Sequence, residues 1–468
     1  MFSLTKTNIL PLAAVFVLLL SAFNLSAAVL TVTTLADTDD AVCDAQCSLR
    51  EALTASTGGD TIIFARDLRG GTIQLTKTLL IQRRITIDGP NLRRITVKGD
   101  NTFRIIETRT DGTSAMVISI DGLIMRDGQA LAGDGGGILV GGSGTVLNLT
   151  NCAILGNTAQ HGGGIYMPGG TLYLIDSTLA DNTSTADGSA GGIDLHYTIV
   201  KIMNSTISGN KSLSAVDGVG GIRLYSSPNW FINGGTVAGN SSNGAELFSV
   251  GGIGNIGGIN GSITNSIIAK NTGIRADFTG GGTSARNSLF GIGSPTGTFT
   301  DGVNGNIVGT AKAPVDPQIG LLNDNGGGLP THALLPASRA IDAGNTDLSI
   351  DRHGKPLTID QRGYSRIVNT TVDIGAYEFN AAPLNPASNI NGRVTNATRS
   401  AIFGARILLR DETGAIRFAM VNPSGFYRFA GVPANATYTI ECVSKRDTFS
   451  PQNILVEEST EYIDFRAN

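Results

Sequence analysis

Two short elements recur in phase through the middle of this chain, and they constrain its fold more than any other feature. A Gly-Gly-Ile element ends at Ile138, Ile165, Ile193, Ile222 and Ile253, at intervals of 27, 28, 29 and 31 residues. Between these lies an apolar-x-x-Asn element: Ile154 to Asn157, Leu179 to Asn182, Ile207 to Asn210, Val237 to Asn240 and Ile268 to Asn271. Six residues before each terminal Asn stands Asn151, Asp176, Asn204, Gly234 or Asn265. Periods of this size indicate solenoids or arrays. Within each repeat the apolar residues alternate. Leu149, Leu174, Ile202, Ile232 and Ile263 form one column, and Leu147, Leu172, Val200 and Trp230 form another two residues earlier. Strand side chains two apart share a face, and the intervening Gly, Asn, Asp and Ser suit tight corners. No helical period is present. The unit reads as one coil of a right-handed parallel β-helix, and the Asn column as a buried turn ladder, not as chemistry.

Less regular strand-like segments precede the repeats: 61–64, 72–75, 85–87, 95–97 and 117–120. An open solenoid end needs cover, and residues 47–56 suit that role. Ser48 and Glu51 have capping-box spacing, while Leu49, Ala52 and Leu53 form one apolar helical face. Before this, Lys6 precedes an apolar run from Ile9 to Phe23, with Ser26 and Ala28 as small residues at a cleavage point. Residues 1–28 therefore read as a secretory signal. The mature chain has no second apolar stretch long enough to span a bilayer. The expected divisions are a cap over 29–60, coils over 61–319, C-terminal coils and a cap over 320–380, a Pro-containing linker over 381–388 and a small antiparallel β-sandwich over 389–468.

Composition narrows the function classes. Charged residues make up 15% of the 468, against about 25% in ordinary globular chains, and the net charge is −4. There is no run of either sign, so nucleic acid is not an expected partner. Cys43 and Cys47, four apart in an exported cap, are expected to form a disulfide. Cys152 falls in an inward small-residue column with Ser177, Ser205, Gly235 and Ser266, and reads as a core thiol. Cys442 reads as buried in the sandwich.

Four segments resemble known families. Leu30 through Leu53, with Asp37, Asp40, Cys43 and Cys47-Ser48-Leu49-Arg50-Glu51-Ala52, resembles the CSLREA domain of exported bacterial proteins. The coils resemble the repeats of polymorphic outer-membrane proteins, with Ile, Leu or Val in place of Phe. Asp316-Pro317, His332 to Pro336, Ala340 to Gly344, Asp360-Gln361-Arg362-Gly363 and Asp373 to Glu378 resemble the choice-of-anchor Q domain. Gly392-Arg393-Val394, Gly404-Ala405 and Gly425-Phe426-Tyr427 resemble a carboxypeptidase-regulatory-like sandwich. These resemblances imply a secreted or surface bacterial β-helix protein with no assigned activity, and the second implies adhesion. The polymorphic outer-membrane proteins carry a C-terminal membrane barrel and the choice-of-anchor families end in a sorting signal. A sandwich-like segment stands in that place here.

One outward row carries candidate chemistry. After successive Gly-Gly-Ile elements come Leu139, Tyr166, Asp194 and Arg223, and two residues later Gly141, Pro168, His196 and Tyr225. In register, Tyr166, Asp194, His196, Arg223 and Tyr225 share one face. A ring stacks on a sugar, a carboxylate accepts from hydroxyls, and Arg grips an acidic group. The first reading is a non-catalytic protein for adhesion or for binding an extracellular polysaccharide or surface glycan. The alternative is a polysaccharide lyase or glycoside hydrolase using Asp194, His196 and Arg223. The plain structural reading is a surface ion pair between Asp194 and Arg223. Asn345-Thr346-Asp347 and His161-Gly162 match polygalacturonase fragments, but in reversed order. His332 and His353 have no metal-ligand spacing around them. Asp134 and Asp187 have calcium-binding chemistry without calcium-site spacing, so no cofactor or metal is expected. The chain is expected to be a monomer.

Overall fold

The computed structural model describes residues 27–467 apart from 91–92, 111–115, 295–296, 383–386, 399, 413, 435 and 457–460. The expected secretory segment lies outside these residues except for Ala27 and Ala28. Part of the expected linker lies outside them as well.

The repeats build an all-β parallel solenoid. Successive coils stack their strands into three long sheets, of ten, ten and eight strands. In the coil around the third repeat these are Ile193–His196, Thr198–Met203 and Thr206–Ser208. Leu147, Leu172, Val200 and Trp230 pair in succession, as do Leu149, Leu174, Ile202 and Ile232. All are fully or almost fully buried. The interior is a stack of aliphatic columns that closes with the rings of Trp230, Phe278, Phe290 and Phe299.

The Asn column is a continuous ladder inside one corner. Asn157 donates its backbone N–H and its Nδ2 to Asn182 Oδ1, at 3.0 and 2.9 Å. Asn182 does the same to Asn210, Asn210 to Asn240, and Asn240 to Asn271. The second Nδ2 hydrogen goes to a strand carbonyl one coil back, such as Ile154 for Asn182 and Leu179 for Asn210. Asn271 closes the ladder on Asp277 Oδ1. The glycine pair belongs to the same device. A Cβ on Gly163 would lie 2.3 Å from the Thr183 carbonyl, and one on Gly164 would press the Asn182 amide at 3.2 Å.

At the N-terminal end, helix α1 (Leu49–Ala55) carries the capping box expected of Ser48 and Glu51. Arg50 is buried against Asp37, Nε to Oδ1 at 2.9 Å and Nη2 to Oδ2 at 2.8 Å, and also reaches the carbonyls of Lys77 and Thr78. Cys43 and Cys47 are joined by a disulfide. Cys152 is buried, its Sγ against the carbonyls of Ile120 and Thr150, and burial pushes its thiol up to about 12.

Residues 319–379 differ from the further coils and end cap expected of them. They contribute one hairpin, Ile319–Asp324 with Pro330–Leu334, and then run lengthwise down the flank of the solenoid as a strap. Asn204, Asn233 and Asn265 donate Nδ2 to the carbonyls of Ile359, Leu348 and Asn345 respectively. Gln361 bridges two coils, accepting from Thr206 Oγ1 at 2.6 Å and donating to Thr178 Oγ1 at 2.8 Å. Arg366 is fully buried, its guanidinium 3.0 Å from where a Cβ on Gly234 would be. Gly234 interrupts the Asn/Asp column at the spot where that guanidinium enters. Asn345, from the polygalacturonase-like fragment, is tied to Asn265 and takes its place in the strap.

The C-terminal segment forms two four-stranded sheets around Ile390, Ile407, Tyr427, Phe429, Ile440 and Val456. Strand pairing is antiparallel except where Ala387–Thr395 meets Glu461–Tyr462 and Phe465–Arg466 in parallel. Arg69 of the first coils pairs with Glu461, and Arg66 Nη2 donates to the Leu455 carbonyl.

Replacing Asn210 by Ala orphans both donors of Asn182, so Asn210→Ala is expected to lower stability by about 2–4 kcal/mol, read as a shift in the urea midpoint. A pH dependence also follows. Burial pushes Asp176 up to about 7, and burial followed by repulsion from Asp88 pushes Asp121 up to about 6. Carboxyls raised in the folded state hold protons that the unfolded chain has released, so stability falls as pH rises through 4–7, at up to about 1.4 kcal/mol per pH unit per proton. Asp176 has φ 48°, close to the 45° of Asn204, so Asn fits there. Asp176→Asn is expected to raise the melting temperature at pH 8 and to flatten its decline between pH 5 and 8.

Candidate functional site

The outward row lies on the third sheet, whose strands follow each Gly-Gly-Ile corner. Tyr166 pairs with Asp194, Asp194 with Arg223, and His196 with Tyr225. All five candidate side chains therefore occupy neighbouring rungs of one face. The rings follow one another along the solenoid axis: Tyr166 to His196 at 5.6 Å between centroids, His196 to Tyr225 at 5.1 Å. The Arg223 guanidinium sits 5.0 Å over the Tyr225 ring.

Beneath these rings the polar groups pair with one another. Asp194 is fully buried. Its Oδ1 lies 3.0 Å from Arg223 Nη1 and 3.2 Å from His196 Nε2. The same Nη1 is 2.9 Å from His196 Nε2. Asp194 Oδ2 and Arg223 Nε are buried without a hydrogen-bond partner.

The row extends beyond the residues picked out from sequence. His161 stands 6.1 Å from Tyr166, and its Nδ1 is 2.7 Å from Asp134 Oδ1. That hydrogen bond, opposed by partial burial and aided by the charge of Asp134, holds the imidazole pKa above its ordinary value. Tyr197, well exposed at φ 52°, meets the edge of the Tyr225 ring at 6.1 Å. The signal for Asp134 and His161 is present in the repeat: each stands four residues before its Ile, in Asp134-Gly-Gly-Gly-Ile138 and His161-Gly-Gly-Gly-Ile165. Tyr197 carries no such signal, because it sits at a corner between columns.

Other chemistry-bearing residues are elsewhere. His332 is half-buried on another flank, with Nε2 2.8 Å from Ser208 Oγ and Nδ1 2.8 Å from the Gly320 carbonyl. Asp187 accepts from Ser214 Oγ at 2.6 Å. Among the described residues no group of three or more His, Cys, Asp and Glu side chains is placed to hold a metal ion, and no helix is long and apolar enough to cross a membrane. The surface has cavities away from this face. One of about 560 Å³ lies between the first coils and the sandwich, and another of about 230 Å³ lies beside Lys270. Asp134→Asn is expected to bring the His161 pKa down towards 6.5, as followed by NMR titration of its ring protons.

No family model matches the chain, and no curated protein matches it. Among solved structures it is similar to a pectate lyase, Pel9A, at 17% identity over 76% of this chain and 98% of that one, with a TM-score of 0.39. It is also similar to the Bacillus anthracis TIE protein, at 10% identity over 18% of this chain, with a TM-score of 0.15. The chain spans 17% of the length of that protein.

Proposed function

We propose that this is an exported, monomeric, non-catalytic β-helix protein that binds extracellular polysaccharide along the ring row of its third sheet. The supporting observation is the succession Tyr166, His196 and Tyr225 on neighbouring coils at 5.6 and 5.1 Å. Parallel strands repeat at about 4.8 Å, so such a row offers one ring per coil to a chain of sugars lying along the axis. Tyr and His combine an apolar face with a polar tip, which matches the C–H faces and hydroxyls of a saccharide. Adhesion to a glycan-bearing surface follows from the same chemistry, with the sandwich as a second interaction module. The CSLREA-like and choice-of-anchor-like motifs fit an exported protein of this kind.

The lyase or hydrolase reading is weakened by the pairing of its own candidates. A general base needs a free lone pair facing the proton it takes. His196 Nε2 lies against both Arg223 Nη1 and Asp194 Oδ1, and Arg223 is also engaged by Asp194. These groups pair with one another beneath the rings.

Retention of the purified protein on a panel of insoluble plant and bacterial polysaccharides tests this reading. Tyr166→Ala and Tyr225→Ala are each expected to weaken binding about tenfold, with no release of reducing ends when calcium is added. Release of reducing ends that disappears in Asp194→Ala and His196→Ala would establish an enzyme instead.

A further inference from the structure

The first rung of the solenoid starts one residue earlier than the small-residue pattern suggests. Ala28 is bonded on both sides: its N–H donates to Asp60 Oδ1 at 2.7 Å, and its carbonyl accepts from the Thr61 N–H at 2.9 Å. Asp60 is only 2% exposed. Its Oδ2 accepts from the Thr57 N–H at 2.6 Å and from Thr57 Oγ1 at 3.0 Å. Val29 follows, opposite Thr61, as the first residue of the edge strand Val29–Val32. Cleavage after Ala28, with Ser26 and Ala28 at the small positions, would take a donor from a buried carboxylate and an acceptor from the Thr61 amide. Cleavage after Ala27 keeps both bonds and puts the small Ala27 at the departing end, with Leu25 instead of Ser26 at the second position of the pattern.

Resting on the export reading above, we infer that the leader is removed between Ala27 and Ala28 and that the new α-ammonium of Ala28 pairs with Asp60. The step is hydrolysis by a leader peptidase. The C–N bond between Ala27 and Ala28 breaks as a water oxygen bonds the Ala27 carbonyl carbon; Ala27 departs as a carboxylate, and the Ala28 nitrogen takes up both protons of that water to become an ammonium. A neutral N–H donor to Asp60 thereby becomes a charged one, and charge-assisted bonds to carboxylates are the stronger kind. Processing and completion of the first rung become one event. The surrounding charges suit the pair. Burial pushes Asp60 up, but hydrogen bonds from Thr57 and Ala28 and the charge of Arg83 hold it below the ordinary carboxylate value. Arg393 and Asp464 line the cavity that also contains Ala27, Ala28 and Val29, and their opposite charges offset each other there.

The full chain, expressed in an exporting bacterial host, gives the first test by intact mass and N-terminal sequencing. A chain starting at Ala28 is the expected result. A start at Ala27 or Val29 overturns the assigned bond while leaving export intact, and a chain still starting at Met1 overturns both. The second test is acylation of the α-amine at neutral pH. The native protein is expected to react about tenfold more slowly than Asp60→Asn, since each unit by which the ammonium pKa rises removes nine-tenths of the free amine. Equal rates overturn the ion pair. Should Asp60→Asn fail to fold, the same comparison is made between the native chain folded and unfolded in urea.

Discussion

A carboxamide has two donor hydrogens and an oxygen that accepts twice, and the solenoid uses all four at Asn182, Asn210 and Asn240. Each Oδ1 receives two N–H groups from the coil before, and each Nδ2 gives one hydrogen forward and one back to a strand carbonyl. This makes a corner whose carboxamides are fully paired inside an otherwise aliphatic tube, where an unpaired amide is costly. The ladder also has a direction, and that direction explains its end. Asp277 accepts from Asn271 through Oδ1 and from the Ile292 N–H through Oδ2. A carboxylate accepts but does not pass a donor on, so a ladder of amides terminates where Asp takes the place of Asn.

The glycine pair and the strap are consequences of the same corner-by-corner logic. Glycine is required beside the Asn ladder because backbones of successive coils meet there at distances that exclude a Cβ. At the corner six residues earlier, Asn204 and Asn265 have positive φ and give their Nδ2 groups to a passing backbone. The strap takes that role, and its buried Arg366 fills the space left by Gly234. Arg366 lies 3.8 Å from Glu378, itself fully buried, so the strap brings charge into the flank along with its partner. What looks like an irregular tail is the element that covers the otherwise exposed amides of the solenoid's side.

The coils are legible because their determinants are local and periodic. Inward columns such as Leu149, Leu174 and Ile202 repeat at nearly fixed intervals, and a one-residue slip would turn each of them outward. The register of Tyr166, Asp194 and Arg223 is readable for the same reason. The strap's destination is not legible. Its contacts pair residues far apart in the chain, Gln361 with Thr178 and Thr206, Asn345 with Asn265, and no period links them. Cap-like irregularity in a sequence does not distinguish a chain that crosses the end of a solenoid from one that runs along its side. Asp134 and His161 were readable in principle, through their shared place before the Gly-Gly-Gly-Ile corner. The glycine repeat around them draws attention to the backbone and away from the side chain that precedes it.

The regularity that makes the site readable also limits what it can do. A parallel ladder places equivalent positions one above another, so an Asp, a His and an Arg on adjacent rungs come within pairing distance whether or not a substrate is present. In a flat row the nearest partner of each charged group is another member of the row. Catalysis needs groups held apart from one another and aimed at a common point, which calls for a loop or insertion that breaks the ladder. The rings of Tyr166, His196 and Tyr225 lie tilted against one another along the axis, with the Arg223 guanidinium over Tyr225. On the binding reading proposed above, an uninterrupted coil offers an extended ligand a continuous row of rings, with the ion pair of Asp194 and Arg223 lying below them.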